Sequence, residues 1–318
     1  MLRYVIKRLL IMIPTLLCVA VLIFVLMNFI PGDPAELALG QEATEEEIQA
    51  YRDVLGLNDP YFTRLFKYIW NILTRFDFGL SFTYGTPVIA DLLARFPYTL
   101  MVAIICCFIS ALIGIPLGVS EALKAGSLYD TVTMVLSLVF VSIPGFWLAQ
   151  MLIVQFSLKW PILPSYGFET WDCYVLPCMA NAMGGVAGLA RQTRSSMLEV
   201  IRADYVTTAR AKGLRRQRVT WLHALPNGLI PIITAVGSRF NGMMGGTLIM
   251  ETIYSIPGLG SYMMKSINSR DYNGVQGAIV FVAALHALVI LVIDIIYAFA
   301  DPRIRAQYIR TKKGAKQA

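Results

Sequence analysis

Histidine and charge are what this sequence has least of. Of its 318 residues only two are histidine, His223 and His286, and 15% are Asp, Glu, Lys or Arg. No H-E-x-x-H zinc helix, no G-x-S-x-G nucleophile turn and no carboxylate pair at helical spacing within an apolar run occurs. The dipeptide Gly-Lys is absent too, and with it the G-x-x-x-x-G-K-[ST] loop that cradles nucleotide phosphates. The expectation is therefore a chain with no catalytic residues, no metal site and no cofactor of its own. Cysteine is also sparse, at five residues. Cys18, Cys106 and Cys107 fall inside apolar runs, where small apolar packing explains them. Cys173 and Cys178 are too weak a pattern to assign to a disulfide or a metal.

The shortage of charge also excludes a soluble domain. A hydrophobic content of 57% and a mean hydropathy of +0.62 describe a membrane protein. The net charge of +7 would suit nucleic acid, but the basic residues border apolar runs, where membrane topology explains them better.

The first apolar run, Leu9 to Ile30, is long enough to cross a bilayer core of roughly 30 Å. It exceeds the apolar stretch of a signal peptide and no small-x-small cleavage site precedes Pro31, so a retained span is expected. Five more spans are read at about residues 97–120, 131–158, 175–193, 228–250 and 278–300. The expected divisions are an N-terminal head and first span (1–30), a cap (31–96), a five-span core (97–300) containing a polar loop (191–227), and a basic tail (301–318). Within the cap, Ile48, Tyr51, Val54 and Leu55 follow Thr44 with helical periodicity. No internal repeat supports an inverted-repeat carrier.

Lys and Arg are unevenly divided among the loops. Eight lie between Arg191 and Arg218, opposed only by Glu199 and Asp204, and more lie in the head and tail. The first long loop has ten acidic residues against five basic ones. By the positive-inside rule both termini and the 191–227 loop face the cytoplasm. In that loop Glu199 to Lys212 reads as a helix that Gly213 ends in a left-handed conformation, and Leu214 to Leu225 as a second short helix. Composition alone leaves two readings: a solvated basic loop touching anionic lipid, or a docking element.

The residues Thr207, Thr208 and Ala209, then Gly213, then His223, Leu225 and Pro226 resemble the Glu-Ala-Ala, Gly, Ile-x-Leu-Pro loop of the membrane permease subunits of bacterial ABC importers. The alanine, glycine and Leu-Pro match, while the acidic and isoleucine positions do not. "DYVTTARAKGL" looks like the version found in the peptide/nickel branch. "YVIKRLLIMIPTLL" with "PGDPA", "FGLSFTYGTPV", "IGIPLGV", "VSIPGFWLA", "TRSSMLEV", "ETIYSIPGLG", "RDYNGVQGAIV" and "DIIYAFADPRIR" resemble that branch's first permease subunit, in order, over nearly the whole chain.

The resemblance implies an all-α, six-span permease of the type I importer kind in the bacterial inner membrane, with an extracytoplasmic cap between the first two spans. Its implied partners are a second homologous permease, two ATP-binding cassette subunits that handle ATP and Mg, and an extracytoplasmic substrate-binding protein. The implied cargo is short peptides, with nickel or a metal chelate as the alternative. The residues implied to couple to the ATPase are Ala203, Asp204, Tyr205, Thr207, Thr208, Ala209, Arg210, Ala211, Lys212, Gly213, Leu225 and Pro226, with Ala203 to Gly213 as the contact surface.

A reading from another class, an ion-coupled secondary carrier, would use the ionisable residues within spans, Arg239, His286 and Asp294. Arg239 lies near the middle of the fifth span, beside Ser238 and Asn241, where the family more often has glutamine. It must face protein or water, which makes these three the candidates for the translocation pathway, or else for an ion pair with the second permease.

Overall fold

The computed structural model describes residues 2–30, 32–40 and 43–300; the basic tail lies outside the described residues. Among those described, the structure is helical, with one isolated bridge between Leu80 and Pro87. The helices are α1 (Leu2–Phe29), α2 (Pro34–Leu39), α3 (Glu45–Leu55), α4 (Tyr61–Arg75), α5 (Val88–Leu123), α6 (Leu128–Ser142), α7 (Gly145–Ile153), α8 (Val175–Ile201), α9 (Asp204–Ala211), α10 (Leu225–Gly246), α11 (Leu248–Ile253), α12 (Leu259–Asn268) and α13 (Tyr272–Ala300).

Five stretches are long and apolar enough to cross a membrane unbroken. The span expected over 131–158 is instead a pair, α6 and then α7 with its wider-wound continuation to Lys159, bent by 91°. Pro144 lies at the break, where its ring bars Ile143 from helical geometry, and Ile143 is extended at ψ 123°. The second span starts earlier than expected, at Val88, so the cap passes into it without a boundary at residue 96. In the cap, the helix expected after Thr44 is α3, closed by a reciprocal box in which the Thr44 hydroxyl accepts from Glu47 N–H and the Glu47 carboxylate accepts from Thr44 N–H.

The chain forms two compact units. One comprises Met1–Leu100 and Met244–Leu288, and the other Met101–Met243 with residues from Val289 on. The first unit has a core of Ala20, Ile23 and Met27 of α1, Val88 and Leu92 of α5, Leu259 and Tyr262 of α12, and Val275 and Ala278 of α13. Two buried carboxylates organise it. Glu251 of α11 is fully buried and accepts from the hydroxyls of Thr99 (2.7 Å) and Thr247 (2.9 Å) and from the N–H groups of Gly260 (2.7 Å) and Ser261 (3.2 Å). It thus caps the N-terminus of α12, where free N–H groups and the helix dipole favour an anion. A Cβ on Gly258 would collide with that carboxylate and one on Gly260 with the backbone of Leu248, so the "IPGLG" glycines are required by close approach. Asp271, also fully buried, does the same for α13, accepting from Gly274 N–H (3.0 Å), Phe82 N–H (3.1 Å) and the Ser81 hydroxyl.

In the second unit α6 and α7 pack on α8. Asp130 of α6 is almost fully buried, and Arg194 of α8 clamps it with two hydrogen bonds of 2.7 Å while Gly126 N–H adds a third at 2.9 Å. The fork geometry satisfies both carboxylate oxygens, as a charge held out of water requires. Helices α5 and α8 touch backbone to backbone, because a Cβ on Gly114 would come within 2.8 Å of the Val186 carbonyl and one on Gly118 would strike that of Ala190.

Glu251→Ala leaves four donors without an acceptor and is expected to destabilise the solubilised protein by about 3 kcal/mol or more, from ~1–3 kcal/mol per unmet buried group. Glu251→Gln retains one acceptor and should lose less. Thermal unfolding in detergent checks the order, and a wild-type midpoint for Glu251→Ala would refute the capping role.

Candidate functional site

The polar loop of residues 191–227 is built differently from its sequence reading. Helix α8 runs on to Ile201, and the backbone opens at Ala203 (φ −73°, ψ 147°) before α9 begins at Asp204. Glu199 and Lys212 are therefore not on one helix. Ala203 and its neighbours are good helix formers, and local propensity hid a corner that tertiary packing imposes. After α9, Gly213 takes the left-handed conformation (φ 76°) expected of it. The second short helix does not stand alone: one turn, Arg216–Arg218, leads through a wide-wound turn, Val219–Ala224, directly into α10.

Helix α9 is seated on the unit by one face. Val206 is buried and Ala209 half-buried against Val119, Ala122 and Leu123 of α5, Met197, Leu198, Val200 and Ile201 of α8, and Val219, Ala224 and Leu225. The other face is free, with Asp204, Tyr205, Thr207, Thr208, Arg210, Ala211 and Lys212 exposed. Asp204 lies in the first turn and Arg210 in the last, as the helix dipole favours. Ala209, read as part of the outer contact, belongs to the inner face. Val206, three residues earlier, is the anchor that the sequence reading missed; its signal was a lone branched apolar residue in a polar helix.

Gly213 is needed for its dihedral angle, since nothing lies within 4 Å of a Cβ built there. Arg216 donates to the Leu123 carbonyl at the end of α5 (3.0 Å), while Lys212 and Arg215 stay exposed. Pro226 is exposed at the start of α10, directly after the wide-wound turn, where the helix has already departed from regular hydrogen bonding.

The exposed faces of the spans divide by chemistry. Those of α5 and α6 are apolar, with Ile104, Phe108, Leu112, Val135, Leu136 and Val139 among their exposed side chains. On α8 Met179 is the one large apolar side chain exposed among the described residues, and α10 has none. Their exposed residues are otherwise mostly small or polar, among them Gln192, Ser195 and Glu199 on one and Asn227, Thr234, Ser238 and Gly242 on the other, while Asn181, Gly184, Gly188 and Asn241 are half-buried alongside apolar Met183, Val186, Ile233 and Phe240. Such a face is poor for lipid and suited to water or protein.

Ser238 lines a depression of about 350 Å³ with Gln192, Pro231 and Thr234. Arg239, about 100° further round the helix, is not in it. Its side chain is half-buried and crosses to α8, where Nη2 donates to the Asn181 carbonyl (2.7 Å). Its Nε is buried without a partner, as are Asn181 Nδ2 and Asn241 Oδ1. Among the described residues no carboxylate pairs with Arg239. An unpaired cation at this depth costs at least ~2.5 kcal/mol on insertion scales. His286 lies against Gly245 of α10, and Asp294 is half-buried in α13. Among the described residues no three His, Cys, Asp or Glu side chains gather as a metal site, and all five cysteines are free.

Residues 114–306 match the family described as binding-protein-dependent transport system inner membrane component, and residues 1–103 match the N-terminal region of such membrane components. The chain belongs to this family. It is accordingly a multi-pass inner-membrane permease component of an ABC importer, and not itself an enzyme. It is 37% identical over 305 residues to the glutathione transport system permease protein GsiC of Salmonella choleraesuis (strain SC-B67) and to that of Escherichia coli (strain K12), covering 96% of this chain and 99% of each relative. Its fold is similar to a chain of the MetNI methionine ABC transporter in an inward-facing conformation, with a TM-score of 0.58 at 19% identity, covering 67% of this chain and 97% of that one.

The anchoring of α9 generates a direct check. Val206→Asp removes the buried methyls and inserts a charge, and should free α9 from its seat without blocking insertion of the permease. Trypsin should then cut at Arg210, Lys212 and Arg215 at least roughly tenfold faster than in wild type, the response expected when a few kcal/mol of burial is lost. Unchanged cleavage would show that α9 is held by something other than Val206.

Proposed function

We propose that this permease is half of the membrane pathway of an ATP-driven importer of short peptides, and that α9 is the element through which a cytoplasmic ATPase subunit moves it. The partner set is a second homologous permease, two ATP-binding cassette subunits supplying ATP and Mg chemistry, and an extracytoplasmic binding protein that meets the cap of residues 31–96. Both termini and the 191–227 loop face the cytoplasm, in keeping with the basic excess there.

The observation that carries the reading is the two-faced mounting of α9. An eight-residue helix, gripped from behind by the ends of α5 and α8, presents a continuous polar outer face. A rigid knob of that kind transmits displacement into the spans, where a free loop would dissipate it. The contact surface comprises Ala203, Asp204, Tyr205, Thr207, Thr208, Arg210, Ala211, Lys212 and Gly213, with Ala209 and Leu225 supporting it from within the unit and Pro226 exposed beside it. The pathway lies along the polar, glycine-rich faces of α8 and α10, with Ser238, Arg239 and Asn241 on it. Peptide cargo is supported by near full-length similarity to permeases named for glutathione, itself a tripeptide.

The test is affinity purification of the solubilised complex from its native membrane, followed by identification of co-purifying chains and measurement of ATP hydrolysis and peptide uptake in vesicles. A second six-span protein and nucleotide-binding subunits are expected. Thr208→Trp should reduce recovery of the ATPase subunits, or uncouple hydrolysis from uptake, by at least about tenfold, since a bulky side chain at a packed contact costs typically 1–3 kcal/mol. A permease that purifies alone and transports without ATP would overturn the proposal.

A further inference from the structure

We propose that Arg239 and Asn181 form a carboxylate-binding subsite on the translocation pathway, which engages a free carboxylate of the peptide in transit; this rests on the peptide-importer reading above. The subsite starts from a charge without a counter-charge. Arg239 lies well inside α10, its neighbours along the chain are apolar or small, and no acidic side chain among the described residues pairs with it. Its one hydrogen bond, from Nη2 to the Asn181 carbonyl, positions the guanidinium but leaves its charge unanswered.

The surroundings are cleared for it. A Cβ on Gly185 would strike the Ser110 hydroxyl and lie 2.9 Å from Nε, so glycine there leaves room for both Ser110 of α5 and the guanidinium against α8. In this resting pose Nε–H and the Asn181 side-chain amide are both buried with unused donors. Both are N–H groups and both are matched by a carboxylate, which accepts bidentately from a guanidinium and has lone pairs left for an amide. A carboxylate that draws the guanidinium off Gly185 satisfies groups that the resting pose leaves buried and unmet. The contact is transient by construction, because the Asn181 carbonyl takes the guanidinium back when the cargo moves on. A pathway residue needs that property, since cargo held too well does not leave.

The discriminating experiment measures uptake of trialanine and of trialanine amide, which lacks the C-terminal carboxylate, by the complete transporter in proteoliposomes with its binding protein. The carboxylate-to-amide uptake ratio is compared between wild type, Arg239→Gln and Arg239→Lys. Because the binding protein is the same throughout, its own preference cancels. Arg239→Gln should lower the ratio roughly tenfold, the scale of one charge-assisted hydrogen bond, with Arg239→Lys between the two. An unchanged ratio in Arg239→Gln overturns the subsite. If the ratio is unchanged and the second permease no longer co-purifies, Arg239 is instead one half of an inter-subunit ion pair. Failure of the wild-type transporter to import trialanine overturns the peptide reading itself, and with it the subsite.

Discussion

A charge that leaves water must find its partner inside the protein, and this constraint shapes both units of the permease. Glu251 and Asp271 answer it with backbone, each lying at the N-terminus of a helix whose free N–H groups it accepts. Asp130 answers it with a guanidinium from α8. These solutions are geometrically demanding, and they explain why glycine appears where it does: Gly258 and Gly274 stand where any side chain would collide with the carboxylate being satisfied. The turn "ETIYSIPGLG" is thus less a loop than a sealed joint around one buried carboxylate.

Much of the architecture is legible in the sequence because hydrophobic run length and Lys/Arg placement are coarse signals. The first, fourth and sixth spans stand where the apolar runs put them. What escapes is anything decided by contact between distant segments. The corner at Ala203 has only a weak local signature, since Arg202 and Ala203 are good helix formers and Asp204 alone hints at a new first turn; beyond it Val206 packs with Met197 and Val119. The bend at Pro144 follows from a proline inside an apolar run, a signal that reading 131–158 as one span from its length leaves out. Starting α5 at Val88 required knowing that "VIADLLARF" packs through Val88 and Leu92 into a core.

The candidate site divides in the same way. Gly213 was readable, since a glycine after a polar helix is a common stop and its positive φ is a local property. Which residues of α9 look outward was not, because a contact with an absent subunit and a contact with one's own core leave similar marks in a short sequence. Ala209 and Val206 are the instructive pair: small and apolar, they serve the seat of the knob. Arg239 was conspicuous as a charge in a span, yet its crossing to the Asn181 carbonyl over Gly185 is a three-dimensional fact.

The glycine contacts of α5 have a mechanical meaning. Where Gly114 and Gly118 meet Val186 and Ala190, the glycines place no side chain of their own between the two helices to bend or slip as a spring would. Force entering at one is passed to the other with almost no lost travel, so the pair behaves as a single stiff lever with α9 fixed at its tip. A lever of that kind turns a small, brief tilt at one membrane surface into a displacement of the opposite end. On the function proposed above, the speed of switching is then set by the subunit that drives α9 and not by the compliance of the permease.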